Sequence, residues 1–189
     1  PIHSIQNSDY SYKSAGVNVQ LGLDVNILPW LSFSSNNGLS YWTSLATNYV
    51  SPEIAGPMHG IGSLYRQNDY GYGAISTDLF KMVGSFGDHN LSGLIGGEFS
   101  GGYSDYWGGS AEGLLQGYTT FNTASKNYQV FGAYSQSNIM SFISQVNYDF
   151  RQKYFLTASY RLDANSKFAP DNKTASFPTV SASWLINKE

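Results

Sequence analysis

The 189-residue sequence contains no cysteine. That excludes disulfides, thiolate metal sites and a thiol nucleophile. Charge is scarce: 10 Lys and Arg stand against 13 Asp and Glu, together 12% of the chain, about half of the usual share of roughly 25%. A net charge of −3 gives no reason to expect nucleic-acid binding, whose usual footprint is a basic face. No apolar run approaches the roughly 18–20 residues of a membrane helix. The Ala, Glu, Lys and Leu richness of a coiled coil is also missing. Catalytic signatures are equally thin. His3, His59 and His89 are far apart, fall in loops or turns, and share no metal-ligand spacing. Gly71-Tyr72-Gly73 is followed by neither the third glycine nor the helix of a dinucleotide site. No Gly-x-Ser-x-Gly elbow occurs. Asp24, Asp149 and Asp163 fall on the polar faces of different strands, which suits a wet surface better than a glycosidase pair. Neither enzymatic activity nor a cofactor or metal is expected.

Aromatic and small polar residues fill the space. The chain holds 15 Tyr, 11 Phe and 4 Trp, 16% in all. Ser, Asn and Gly make up a third of it. Aromatics at this level argue against disorder. From Val17 to Ile27 every odd position is apolar (Val17, Val19, Leu21, Leu23, Val25, Ile27) and every even one is not. Period two means a strand with one apolar and one polar face. Even positions carry the apolar set in Met140–Phe150 and in Tyr154–Leu162. Strands are expected over 16–27, 30–44, 70–86, 90–99, 139–150, 153–163 and 177–187.

Connections alternate between short and long. Short turns fall near Pro29, at Gly87–Asn90 and at Arg151–Lys153; long polar or Gly-rich stretches cover 46–68, 100–138 and 164–176. Outer-membrane barrels sort their loops this way, with short periplasmic turns and long external loops. Several apolar runs last ten to twelve residues, against the roughly 9–11 of a tilted membrane strand. Trp30, Tyr148, Phe150 and Tyr154 flank the short turns, where an interfacial girdle would stand. The expected fold is all-β: an antiparallel transmembrane β-barrel segment of about seven strands. An odd count does not suit a single-chain bacterial barrel, and an open sheet in lipid leaves backbone groups unsatisfied. Residues 1–189 therefore read as part of one barrel domain, without a plug domain, signal peptide or closing strand. Two other readings stay open. One is a secreted glycan-binding β-domain, with Val17–Ile27 buried between two sheets. The other is a complete eight-stranded outer-membrane barrel, with 128–135 as an eighth strand and Ile186 beside Val17.

Lys153-Tyr154-Phe155-Leu156-Thr157-Ala158-Ser159-Tyr160-Arg161-Leu162-Asp163 resembles a late barrel segment of the SusC/RagA-type TonB-dependent outer-membrane transporters. Ser166–Lys173, Phe177–Trp184 and the Gly-x-Glu at Gly96–Glu98 continue the resemblance. Ala164-Asn165 and Thr174-Ala175 depart from the family pattern, in an external loop. The resemblance implies a 22-stranded barrel in the bacterial outer membrane, importing glycans or peptides. It also implies a plug, TonB as energy-transducing partner, and a SusD-like surface lipoprotein as lid.

Two sets of residues are candidates for function. Gly101–Gly109 reads as an external loop, where Tyr103, Tyr106 and Trp107 offer stacking faces for a sugar and Asp105 an acceptor. The same aromatics would serve equally to pack the loop on itself or on a lid protein. Arg161 and Asp163 face the lumen by parity, to pair with a plug or with other wall residues.

Overall fold

The computed structural model describes residues 8–53, 61–169 and 173–186. It is a single antiparallel sheet of seven strands in the order of the sequence. The strands are β1 (Ser8–Leu28), β2 (Leu31–Val50), β3 (Ser63–Phe86), β4 (His89–Glu112), β5 (Lys126–Phe150), β6 (Tyr154–Asn165) and β7 (Thr174–Trp184). Among the described residues the one helical element is a short 3-10 turn, Phe121–Thr123. No helix is long and apolar enough to cross a membrane, which says nothing of strands. His3 and His59 lie outside the described residues.

The strand count and order match the sequence pattern, but four boundaries move far. β1 begins at Ser8 rather than at 16, and β3 at Ser63 rather than at Tyr70. β4 continues to Glu112 and β5 starts at Lys126, so most of the stretch read as a 100–138 loop is strand. Residues 128–135 are the first part of β5, not an eighth strand. These segments hold Gly, Ser and Tyr on both faces, so no apolar contrast marks them in the sequence. Backbone pairing needs no such contrast.

β1 and β7 each have a neighbour on one side only, so Ile186 is not beside the Val17 strand. That removes the closed eight-stranded reading. Among the described residues there is no second sheet, and Leu21 is 69% exposed. A sandwich core around Val17–Ile27 is therefore absent as well.

Short and long connections alternate along the chain: Pro29-Trp30, Gly87-Asp88 and Arg151–Lys153 between 51–62, 113–125 and 166–173. Gly87 takes φ +60°, as a two-residue hairpin turn requires. Arg151 and Gln152 also sit at positive φ (56° and 52°) without being glycine. Their turn is held by Gln152 N donating to Asp149 Oδ1 (2.6 Å) and by Arg151 Nε on Asp88 Oδ2 (2.7 Å).

One register carries each ladder. β5 pairs β6 from Ile139↔Asn165 to Phe150↔Tyr154. β6 pairs β7 from Tyr154↔Trp184 to Ala164↔Thr174. Between β3 and β4 the contacts Ser85–Asn90, Thr77–Glu98, Tyr72–Tyr103 and Tyr70–Asp105 keep one antiparallel offset. Parity therefore assigns faces along whole strands. On the apolar face lie the odd residues of β1 and β4 and the even ones of β5 and β6. β3 breaks this band with Ser76 and Asp78, which hydrogen-bond each other at 3.1 Å.

The residues cluster into two compact units. One comprises 1–17, 40–72 and 103–136; the other comprises 18–39, 73–102 and 137–189. The first holds a small apolar core of Tyr49, Leu64 and Leu114, with Phe121 and Ala124 against it. It also lays the Trp42 indole across Gly71, where a Cβ would meet the ring at 2.7–2.9 Å. In the second unit no apolar residue is buried among those described, although Ser34 and Ser141 are.

Candidate functional site

The polar face of the second unit is a connected network. The register sets Ser141 opposite Asp163 and Ile143 opposite Arg161. Arg161 Nε donates to Asp163 Oδ1 at 2.7 Å. Its Nη2 donates to Glu98 Oε1 at 3.1 Å and to Ser141 Oγ at 2.9 Å. Thr77 Oγ1 donates to the other Glu98 oxygen at 3.2 Å. One guanidinium thus holds two carboxylates from two strands, and charge-assisted bonds of this kind fix orientation well. Farther along the same face, Asn147 Oδ1 accepts from Gln145 Nε2 and Thr157 Oγ1, both at 2.9 Å. Asn147 Nδ2 reaches Ser92 Oγ at 3.3 Å, and Asn90 Nδ2 reaches Asp149 Oδ2 at 3.2 Å.

On the apolar face of this unit, aromatic rings gather beside the short turns. His89 stacks on Phe86 and Tyr148 (centroids 5.2 and 5.9 Å), and its Nδ1 is 2.6 Å from the Tyr148 hydroxyl. Phe150, Tyr154 and Trp184 continue the row at 6.4 and 6.1 Å.

The first unit contains the other candidate residues, and their setting differs from the expected loop. Tyr103, Asp105, Tyr106 and Trp107 stand in β4. Alternation splits them: Tyr103, Asp105 and Trp107 share one face, and Tyr106 has the opposite parity. Tyr103 stacks between Tyr72 (5.4 Å) and Tyr134 (6.1 Å). Asp105 Oδ2 accepts from both Tyr70 and Tyr103 hydroxyls at 3.1 Å. The structure thus joins Tyr103 and Asp105 in one cluster and places Trp107 beside a separate groove.

That groove, of about 520 Å³, is lined by Leu45, Arg66, Trp107, Phe121, Tyr128 and Val130 among others. Its lining is almost wholly apolar. Nε of Arg66 is buried with no hydrogen-bond partner.

Several partners were not visible in the sequence. Glu98 and Ser141 reach Arg161 from strands distant in the chain. Counting residues back from the Gly87-Asp88 turn would have paired Tyr72 with Tyr103. Arg66 fell within a stretch read as loop, so no signal marked it.

No protein-family profile matches the chain. Relatives do. A TonB-dependent receptor of Formosa agariphila, P3, is 34% identical over 125 residues, 61% of this chain and 12% of that protein. A second, P39, is 26% identical over 172 residues, 88% of this chain and 16% of that protein. The TonB-dependent receptor SusC of Bacteroides thetaiotaomicron is 25% identical over 179 residues, 91% of this chain and 17% of SusC. Among solved structures, the RagAB peptide transporter superposes with a TM-score of 0.91 over 97% of this chain, at 18% identity and 21% coverage of the transporter chain. The chain therefore spans about a sixth or less of the length of these curated relatives.

Proposed function

Since the chain is a barrel segment of the SusC/RagA-type TonB-dependent receptors, we propose that it forms wall and external parts of an outer-membrane importer of glycans or peptides. The supporting observation is the division of its strands into two faces. Val19, Leu21 and Leu23 of β1 lie open on one face, as a lipid-facing band would. The other face carries hydrogen-bonded Asn, Gln, Thr and Ser with Arg161, Asp163 and Glu98, as a water-filled lumen would. The protein works by shape and gating rather than by covalent chemistry.

In this reading Arg161 and Asp163 line the passage and stiffen it. Tyr106, on the polar face, is the member of the 103–107 group placed to touch cargo. Tyr103 belongs to an interfacial girdle. Its partners are a SusD-like surface lipoprotein, TonB acting through other parts of the receptor, and the cargo. Relatives bear names that point to such an assembly, among them SusC and the RagAB peptide transporter.

Residues 1–189 contain no cysteine, so replacing any cysteine elsewhere in the full-length protein makes the test clean. Single cysteines placed at 19, 20, 21, 22, 23 and 24 of the full-length protein in outer membranes are exposed to a water-soluble maleimide. Gln20, Gly22 and Asp24 positions are expected to label; Val19, Leu21 and Leu23 positions are expected to resist and to react only with a lipid-soluble reagent. Uniform labelling by the water-soluble reagent would overturn the wall assignment.

A further inference from the structure

We infer that the side of the first unit opposite its small core is a stacking platform for an uncharged oligosaccharide. The inference rests on the importer reading and deepens it by naming the class of cargo. Glycines supply the first observation. A Cβ at Gly71 would meet three atoms of the Trp42 indole at 2.7, 2.8 and 2.9 Å. A Cβ at Gly108 would meet two atoms of the Phe131 ring at 2.9 Å. Each ring therefore takes the space a side chain would fill and lies against the sheet. Tyr65 stacks on Phe131, with centroids 5.6 Å apart and planes 22° from parallel. These rings are not sealed in: Trp42 is 44% exposed, Tyr65 36% and the nearby Tyr106 41%.

The second observation is the polar row between the rings. Asp69 Oδ1 accepts from Gln67 Nε2 at 2.7 Å, and Oδ2 accepts from Ser44 Oγ at 3.2 Å. The Tyr65 hydroxyl donates to Gln67 Oε1. These bonds fix the side chains, and each Asp69 oxygen keeps a second lone pair for a hydroxyl donor. The offset that sets Tyr70 against Asp105 sets Asp69 against Tyr106. Tyr65 and Leu64 have opposite parity on β3, so the platform and the core are on opposite sides of the strands.

The third observation selects the ligand. Six positions of β3 separate Tyr65 from Gly71, roughly 20 Å along the strand. That is longer than one sugar ring and suits a chain of them. Sugar rings offer C–H groups to the negative face of an aromatic ring and hydroxyls to fixed acceptors. Among the described residues no Lys or Arg shares this side of β2 to β5 within the unit, so an acidic glycan or a peptide carboxylate finds no counter-charge. An extended peptide is held best by pairing with a sheet edge, and β2 to β5 are interior strands.

The test uses the full-length protein purified in detergent. Neutral oligosaccharides (glucans, xylans, mannans and galactans), oligogalacturonates and a tryptic digest of casein are screened side by side, and the strongest binder is titrated calorimetrically. A neutral oligosaccharide is expected to bind. Trp42→Ala should weaken that binding roughly tenfold, through loss of one stacking ring. Trp42→Phe keeps a ring and should retain part of the affinity, which covers the case in which Trp42→Ala fails to fold. Asp69→Asn should weaken binding about threefold. Val130→Ala, on the opposite side of β5 from Phe131, should leave it unchanged. The proposal is overturned if no neutral oligosaccharide binds, or if oligogalacturonate or peptide binds more tightly and depends on Trp42. A loss in Val130→Ala equal to that in Trp42→Ala overturns it too. The cysteine labelling at 19 to 24 is run alongside. Alternating labels without oligosaccharide binding remove the platform and leave the wall; uniform labels remove the wall, and the titration still decides the platform.

Discussion

The two units of this sheet solve burial in different ways. The unit with 40–72 and 103–136 keeps an interior: Leu64 is 1% exposed, with Leu114, Ala111 and Tyr49 also buried. The unit with 18–39, 73–102 and 137–189 buries no apolar side chain among the described residues. Its order comes from ladders, aromatic rows and the Arg161 network. A unit with a core can be stable in water. A unit with no buried apolar side chain and many exposed ones gains from another apolar medium, since each fully exposed large side chain forgoes about 1.5–3 kcal/mol of transfer free energy. In the proposed wall, the unit without a core is the one whose apolar side chains meet lipid.

Four substitutions bear on that contrast, in descending order of expected effect. Leu21→Arg, at the centre of the β1 apolar row, should destabilise the membrane-inserted protein by about 2–4 kcal/mol, read from urea unfolding in liposomes. The same change at Val130 should cost under about 1 kcal/mol; equal costs at the two positions would erase the distinction between the units. Leu64→Ala removes the most buried side chain of the small core. It should cost about 2–3 kcal/mol and should speed amide exchange in 44–51 and 111–114 while leaving 139–163 protected. Faster exchange in both units would show that the core serves the whole sheet. Arg161→Ala leaves Glu98 and Asp163 without their shared cation. Because these groups are partly open to water, a loss on the order of 1–2 kcal/mol is expected, and Glu98→Gln added to it should restore part of the loss. A null result for the double variant would mean that packing of the arginine stem dominates. Gln152→Gly should raise stability by at most about 0.5 kcal/mol, as relief of the left-handed conformation is offset by greater freedom of the unfolded chain. A destabilised Gln152→Gly would show that side-chain contacts of the turn outweigh its backbone strain.

The same contrast decided what could be read from the chain. β1, β6 and the ends of β4 and β5 beside the short turns alternate cleanly because one face must be apolar. Their positions, a turn beginning at Gly87, the turn at 151–153 and the shared parity of Arg161 and Asp163 followed from that alternation, whereas the ion pair between those two residues did not. In Ser100–Glu112 and Lys126–Gln136 both faces are Gly, Ser, Tyr and polar residues. Period two leaves no trace there, and Gly-rich composition imitates a loop. Tyr103, Asp105, Tyr106 and Trp107 were therefore grouped as a loop when the ladder divides them between two faces. Glu98 was invisible as a partner of Arg161 for another reason. β5 lies between their strands, and two registers must be known before the pair can be seen.

The aromatic tiers have a further consequence. Tyr72, Tyr103 and Tyr134 form one stack, and Phe86, His89 and Tyr148 form another. Fourteen positions separate Tyr72 from Phe86, His89 from Tyr103, and Tyr134 from Tyr148. A one-residue insertion within that interval on any of the three strands would turn its tyrosine to the opposite face. A two-residue insertion would keep the face but move the ring off its neighbours. A change of length in this stretch on one strand therefore costs that strand's ring its contacts within its tier.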